Sequence, residues 1–268
     1  MSTLKSVALA AAVAVALPLT ALAADLPLPP AYVEFGGWYL RGDIGMTNQQ
    51  FRRLENISFA GAPGFSFLDK GGFESGPLFG LGIGYQYNSW LRFDITGEYR
   101  GKVGFSALDR YTNPARTTFF TNDYRSTKSE WVFLANAYAD LGTWYGVTPF
   151  VGAGVGFAMN RIDHFRDTNV IAGGGGWADG ASKTNLAWAL HAGLAYRVTP
   201  NFTVELAYRF LWLGDAQTGT LVNLDPTVPC ATTCQPMHFR DIYSHDLKLG
   251  MRWALGGGDY GSPPIRKY

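Results

Sequence analysis

The tetrapeptide His-Phe-Arg-Asp occurs twice, at His164–Asp167 and at His238–Asp241. Two histidines and two aspartates are a donor set that zinc or copper accepts. Both copies fall where an alternating segment meets a long connection, so one rim could carry both. The same residues equally suit a rim of aromatic and ion-paired side chains, and nothing in the chain brings the copies together. The only cysteines, Cys230 and Cys234, are a disulfide candidate, with a metal or redox site as the alternative; the spacing is not that of CxxC. A ring this small shapes a loop tip rather than holding a fold. The runs FGLGIGYQ and VGAGVGFA suggest dinucleotide loops, but their spacing is GxGxG and no helix or acidic second strand follows, so no nucleotide cofactor is expected.

A third pattern is more extensive. In LRFDITGEYR, residues 91–100, apolar Leu91, Phe93, Ile95 and Tyr99 alternate with charged Arg92, Asp94, Glu98 and Arg100. Side chains of a strand alternate faces, so this segment is oily on one side and ionic on the other. Seven further segments read the same way: 38–47, 76–88, 130–141, 148–160, 185–198, 201–210 and 244–255. Their polar faces carry Arg41, Arg92, Arg100, Arg197, Arg209, Lys248 and Arg252 against Asp43, Asp94, Glu98, Asp140, Glu205 and Asp246. Charges so well matched can neutralise one another in a closed space.

The connections sort by length. Segments two and three are joined through Asn88-Ser89, four and five through GTWYGV, and six and seven through Thr199-Pro200. The other four links are long, and Gly173–Gly176 with Trp177 reads as a loop tip. Strict alternation of short and long links is the signature of a transmembrane barrel with short periplasmic turns and long extracellular loops. The expected fold is therefore all-β: an eight-stranded antiparallel meander barrel whose interior is just wide enough for its own side chains. Tyr85, Tyr87, Trp90, Trp144, Tyr145, Tyr196, Phe202 and Trp253 then form the periplasmic aromatic girdle.

Composition agrees. The chain has 268 residues, a formal net charge of +1, 16% charged and 15% aromatic residues, which predicts no nucleic-acid partner. Its start has Lys5, an apolar run from Val7 to Ala16, Pro18, and Ala21-Leu22-Ala23. That is the order of a cleaved signal peptide read by Sec-type export. The expected organisation is a signal peptide over 1–23, a periplasmic segment over 24–36, the barrel over 37–255 and a tail over 256–268.

The AADLP after the cleavage site, the GLGIGYQYN turn, the pair GLAYRVTPNFTVELAYRF, and the recurring GEYR and ELAYR resemble the outer-membrane-protein-A-like barrel family, particularly alphaproteobacterial porin-family surface antigens. The resemblance covers about Trp38 to Leu255. It implies an outer-membrane location, biogenesis by the outer-membrane assembly machinery, and contact with outer-membrane lipids and lipopolysaccharide. Such barrels usually end on an aromatic residue that this machinery reads; here GGGDYGSPPIRKY follows the last strand, and Tyr268 ends it. Peptidoglycan anchoring is not implied.

Some small barrels of this kind deacylate lipid A with a His and a Ser two residues apart on one outward face. Here the residues two beyond each histidine are Arg166, Gly193, Arg240 and Leu247, and Ser244 is adjacent to His245. No catalytic residue, cofactor or metal site is therefore expected. The expectation is a structural or surface-antigen barrel with a charge-plugged lumen, and a small-solute channel as the alternative. Its second long loop, with Lys102, Arg110, Arg116, Arg125 and Lys128 against Asp109 and Asp123, offers cations to lipopolysaccharide phosphates or an external ligand that the sequence does not name.

Overall fold

A computed structural model describes residues 37–58, 60–112, 117–171, 173–225, 227 and 234–255. Among them there is no helix. The strands are β1 (Gly37–Asn56), β2 (Ser66–Phe73), β3 (Gly76–Gln86), β4 (Leu91–Thr112), β5 (Phe119–Asp140), β6 (Val147–Asn169), β7 (Gly175–Ala178), β8 (Ala181–Thr199), β9 (Phe202–Gln217), β10 (Leu221–Asn223) and β11 (Met237–Ala254). Eight of them, β1, β3, β4, β5, β6, β8, β9 and β11, form a closed antiparallel ring. The first strand pairs with the last from Tyr39↔Ala254 to Asn56↔Met237, which leaves the ring without an edge.

Which face points inward follows from the alternation. Leu81, Ile95 and Leu186 are 74%, 64% and 64% exposed, whereas Arg92 and Arg100 are fully buried. The molecule is inverted relative to a water-soluble barrel, and a continuous apolar belt of this kind requires lipid around it. At the short-turn end the belt is rimmed by exposed Trp38, Tyr85, Tyr87, Trp90, Trp144, Tyr145, Tyr196 and Trp253, with Phe202 packed on Trp253 at 5.8 Å. A second rim contains Tyr99 against Trp131 at 5.0 Å, Phe133 against Phe157 at 5.1 Å, and Trp188 against Phe210 at 5.4 Å. Local chemistry closes the short turns. Asn88 Oδ1 accepts from the Trp90 and Leu91 amides at 3.0 and 2.7 Å. Between β5 and β6, Gly142, Tyr145 and Gly146 take left-handed backbone at φ 101°, 52° and 81°.

Beyond the second rim the structure departs from the sequence reading. The expected long loops are mostly strand: β4 runs on to Thr112, β5 begins at Phe119, and β6 runs on to Asn169. Three short strands, β2, β7 and β10, occupy stretches read as loop, and Gly175–Ala178 of the expected loop tip is β7. From Phe105 outward β4 pairs with β2 rather than β3, and from Phe165 outward β6 pairs with β7 rather than β8. The wall thus divides into a β2-β4-β5-β6-β7-β10 sheet facing β1, β11 and β9.

Between these sheets lies an apolar core that includes Leu54, Phe73, Val103, Phe105, Ile162, Phe165, Leu213, Phe239 and Ile242. Phe105 meets Phe239 edge-on at 4.8 Å, and Phe51 meets Phe73 at 5.5 Å. Fully burying side chains of this size stabilises by roughly 1.5–3 kcal/mol each. The bulge between Arg100 and Val103 explains why the alternation hid this core. It shifts the phase by one residue, so even positions Arg92 to Arg100 face inward before it, and odd positions Val103, Phe105 and Ala107 after it.

Candidate functional site in the barrel lumen

Inside the membrane-level ring the charged side chains pair in two tiers. In the tier nearer the short turns, Arg41 on β1 binds Asp43 through Nη2 at 2.8 Å and Asp94 of β4 through Nη1 at 2.6 Å. Asp94 also accepts from Asn136 Nδ2 at 2.8 Å and from the Tyr39 hydroxyl at 3.2 Å. Glu205 of β9 gathers three arginines: Arg252 at 2.7 Å, Arg92 at 3.2 Å and Arg41 at 3.5 Å. Arg92 binds Asp140 at 3.2 Å, and its guanidinium lies over the rings of Tyr138 and Phe150 at 4.1 and 4.7 Å.

In the outer tier, Arg209 Nη2 reaches Glu98 at 2.5 Å and Asp246 at 2.7 Å. Arg100 binds Asp246 at 2.6 Å and Glu130 at 2.7 Å, and donates to Ser244 at 2.9 Å and to Thr47. Lys128 pairs with Glu130 and donates to Gln49 at 2.7 Å. Lys248 joins the tiers, at 3.2 Å from Glu98 and 3.5 Å from Asp43. Taking ions out of water is costly, and mutual attraction repays it only when the remaining hydrogen bonds are met. The double and triple pairing here supplies the attraction, while Arg92 Nη1, Arg92 Nη2 and both oxygens of Glu130 and Glu205 are held by charge without a well-formed hydrogen bond.

Glycines make the room. A Cβ on Gly84 would overlap the Tyr39 ring, and one on Gly152 the Tyr138 ring, so the GxGxG faces of β3 and β6 admit the long side chains of their neighbours.

Two corrections concern membership. Arg197, expected among the lumen charges, is exposed at the periplasmic mouth. It keeps the register of Ala195 and Tyr196, opposite Thr203, but stands two residues from the end of β8 at Thr199, where the lumen opens to solvent. Lys128, expected on an exposed loop, is fully buried in the lumen because β5 begins nine residues earlier than Lys128, at Phe119, and its even positions keep facing inward. With Lys128 and Glu130 included, seven cations (Arg41, Arg92, Arg100, Lys128, Arg209, Lys248, Arg252) face seven anions (Asp43, Asp94, Glu98, Glu130, Asp140, Glu205, Asp246). Asp109 of that same expected loop is also fully buried, whereas Lys102, Arg110 and Arg125 are exposed and Arg125 pairs with Asp123 at 3.2 Å. Arg116 lies outside the described residues.

The two His-Phe-Arg-Asp copies sit on β6 and β11, with β8 and β9 between them around the ring. Each turns its phenylalanine, Phe165 or Phe239, into the apolar core. His164 meets Thr127 at 3.2 Å, and Asp241 closes a surface ridge with Arg53 at 3.6 Å. Among the described residues no three His, Cys, Asp or Glu side chains converge as metal ligands. On the same ridge Arg240 and Lys183 bind Asp215 at 2.9 and 3.2 Å. Against the opposing effect of burial, hydrogen bonds from the Asp241 amide, Arg240 and Lys183 hold the Asp215 carboxyl below its usual value. Ser244 faces the lumen, whereas His245 faces outward and bonds the Tyr208 hydroxyl at 2.6 Å. Cys234 is buried and disulfide-bonded, and Cys230 lies outside the described residues.

Comparison with known proteins gives the context. The sequence profile described as "Outer membrane protein beta-barrel domain" matches residues 8–226. An uncharacterized protein of Brucella abortus is 30% identical over 203 residues, 69% of this chain and 70% of that protein. A Rickettsia prowazekii protein named as a candidate adhesin is 28% identical over 223 residues, 81% of this chain and 87% of its own. Among solved structures, Neisserial surface protein A is 17% identical, with a TM-score of 0.43 over 83% of this chain and 99% of that one. The chain belongs to the outer membrane protein β-barrel family.

Proposed function

We propose that this protein is a non-conducting surface barrel that carries its extracellular double sheet outward as a platform for contacts. The observation that supports it most is the filled interior. Fourteen paired charges occupy the membrane-level lumen, and the apolar core lies directly above them. An eight-stranded ring leaves little space once such side chains are in place. Export uses the signal peptide, with cleavage after Ala23, and the outer-membrane assembly machinery inserts the barrel. The role is structural or antigenic rather than enzymatic: relatives carry names such as adhesin and outer membrane protein, and Ser244 and His245 face opposite sides of the wall.

On the outer extension, Lys102, Arg110 and Arg125 are exposed and offer their charge to lipopolysaccharide phosphates or to an external partner. Liposome swelling tests the closed lumen: refolded protein leaves vesicles impermeable to small sugars, whereas permeability would favour the small-solute channel. Titration with lipopolysaccharide tests the loop contacts. A Lys102→Gln, Arg110→Gln, Arg125→Gln variant binds more weakly, and unchanged binding would remove these residues from the account.

A further inference from the structure

The extracellular half holds a second buried polar cluster, separate from the lumen charges. Across the β5 ladder, Asp109 of β4 lies opposite Asn122, and Asp167 of β6 lies opposite Tyr124. Asp109 is fully buried; its Oδ2 accepts from the Tyr124 hydroxyl at 2.5 Å and its Oδ1 from the Asn122 amide at 3.2 Å. The side chains of Asn56 and Asn122 donate to the Tyr124 oxygen at 2.7 and 3.1 Å. Asn169 donates to the Tyr111 oxygen at 2.9 Å and to Asn122 Oδ1 at 3.2 Å.

Asp167 stands apart in this arrangement. It is 6% exposed, and its buried Oδ1 has no hydrogen-bond partner. It lies opposite Tyr124 in the β5–β6 register and on the same buried row, so it is directed into the cluster. Among the described residues no lysine or arginine pairs with either acid. The adjacent Arg110 and Arg166 are exposed on the other face, Arg110 over the Phe119 ring at 5.0 Å. A buried carboxylate without a donor or counter-charge is costly and calls for a proton or a cation.

We infer that Asp109 and Asp167, with side-chain oxygens of Asn56, Asn122 and Asn169, form a site for a hard divalent cation of the calcium class. The donors are all oxygen, which suits calcium and not zinc or copper. Calcium accepts irregular sets of carboxylate, amide and water oxygens, whereas magnesium demands a near-ideal octahedron. Two carboxylates are few, so the affinity expected is that of extracellular calcium modules, roughly 0.1–1 mM. Protons compete for the same place. Carboxylate ligands must be deprotonated to bind, so binding weakens as the medium is acidified.

The test uses the full chain refolded in a phosphate-free detergent. Terbium is the probe, because Tyr111 and Tyr124 can sensitise its emission, and calcium is the competitor. The expected result is saturable terbium emission that calcium displaces and magnesium displaces poorly. Asp167→Asn lowers the affinity by about tenfold or more, while Asp225→Asn on the exposed surface leaves it unchanged. Calcium also raises hydrogen-exchange protection of 103–112, 119–126 and 162–169 in the wild type only. Heat-modifiable gel migration verifies that the Asp167→Asn barrel has folded; if it has not, Asp109→Asn and the wild-type exchange data decide. Absence of saturable emission, equal affinity in wild type and folded Asp167→Asn, or protection that responds to pH but not to calcium would each overturn the site.

Discussion

Arg100 on β4 and Asp246 on β11 meet at 2.6 Å, although they lie 146 residues apart in sequence. The strands that carry them are separated around the ring by β3 and β1, so the bond spans the lumen rather than running along the wall. It can form only when the barrel has closed. Both side chains are almost fully buried, and Arg100 also holds Glu130 at 2.7 Å. Losing Arg100 therefore leaves the buried network one cation short, with Asp246 held by Arg209 alone and Glu130 by Lys128 alone. Arg100→Met should destabilise the refolded protein by about 3–5 kcal/mol in urea unfolding, and the Arg100→Met, Asp246→Leu double variant should regain part of the loss. A single-variant cost below about 1 kcal/mol would mean that the pair is solvated like a surface bridge.

The apolar belt predicts a different kind of failure. Phe93 and Ile95 face lipid at 44% and 64% exposure, whereas Asp94 between them is buried. Phe93→Arg or Ile95→Arg should oppose insertion by about 2–4 kcal/mol near the bilayer midplane and reduce the heat-modifiable folded species on a gel. Asp94→Asn should insert normally and loosen the lumen, because it removes a partner of Arg41 at 2.6 Å. The reverse ranking would mean that the inside and outside of β4 have been exchanged.

The double sheet above the membrane should be separable from the barrel below. Phe239 packs against Phe51, Phe73 and Phe105 at 5.7, 5.3 and 4.8 Å. Phe239→Ala should cost about 3–5 kcal/mol, seen as faster proteolysis within 101–129 while the gel-shifted barrel persists. Loss of the barrel itself would show that the two layers fold as one.

Acidity should strengthen the extracellular half in the absence of divalent cations. The Asp167 carboxyl is raised from 3.8 to about 7 in the folded chain, by burial and then by Asp109. Its contribution is therefore fully present below pH 3.8 and is lost as the pH rises through about 7, at most about 4 kcal/mol in all. Hydrogen-exchange protection of 119–126, measured in chelator, should fall between pH 5 and 8 in the wild type and change less in Asp167→Asn. A protection that rises with pH through Asp167 would reverse the sign of this argument.

What the sequence disclosed, and what it concealed, divides at the second aromatic rim. Below it the period of two is unbroken, so Phe79, Leu81, Ile83 and Tyr85 could be placed outside, and Arg41, Asp94 and Arg209 inside, from spacing alone. Above it bulges intervene between Arg100 and Val103 and between Phe239 and Ile242. A one-residue slip exchanges the faces of a strand, so Val103, Phe105 and Ala107 looked out of phase with Arg92–Arg100 and passed for loop. The repeated His-Phe-Arg-Asp drew attention to its histidines, whereas the buried members are chiefly Phe165 and Phe239. Lys128 and Glu130 could have been found by running the even positions of β5 back from Asn136. Arg197 could not, since it keeps the inward phase and is exposed only because it stands at the end of β8, at the lumen mouth.

The central claim is that the lumen is closed by its own charges, and single-channel conductance tests it most directly. Wild-type protein refolded and inserted into planar bilayers should give no steady open-state current. Removal of Arg92, Arg100 and Arg209 together from the lumen should give rise to cation-selective leakage if the barrel still folds. Steady, reproducible conductance in the wild type would contradict the closed lumen.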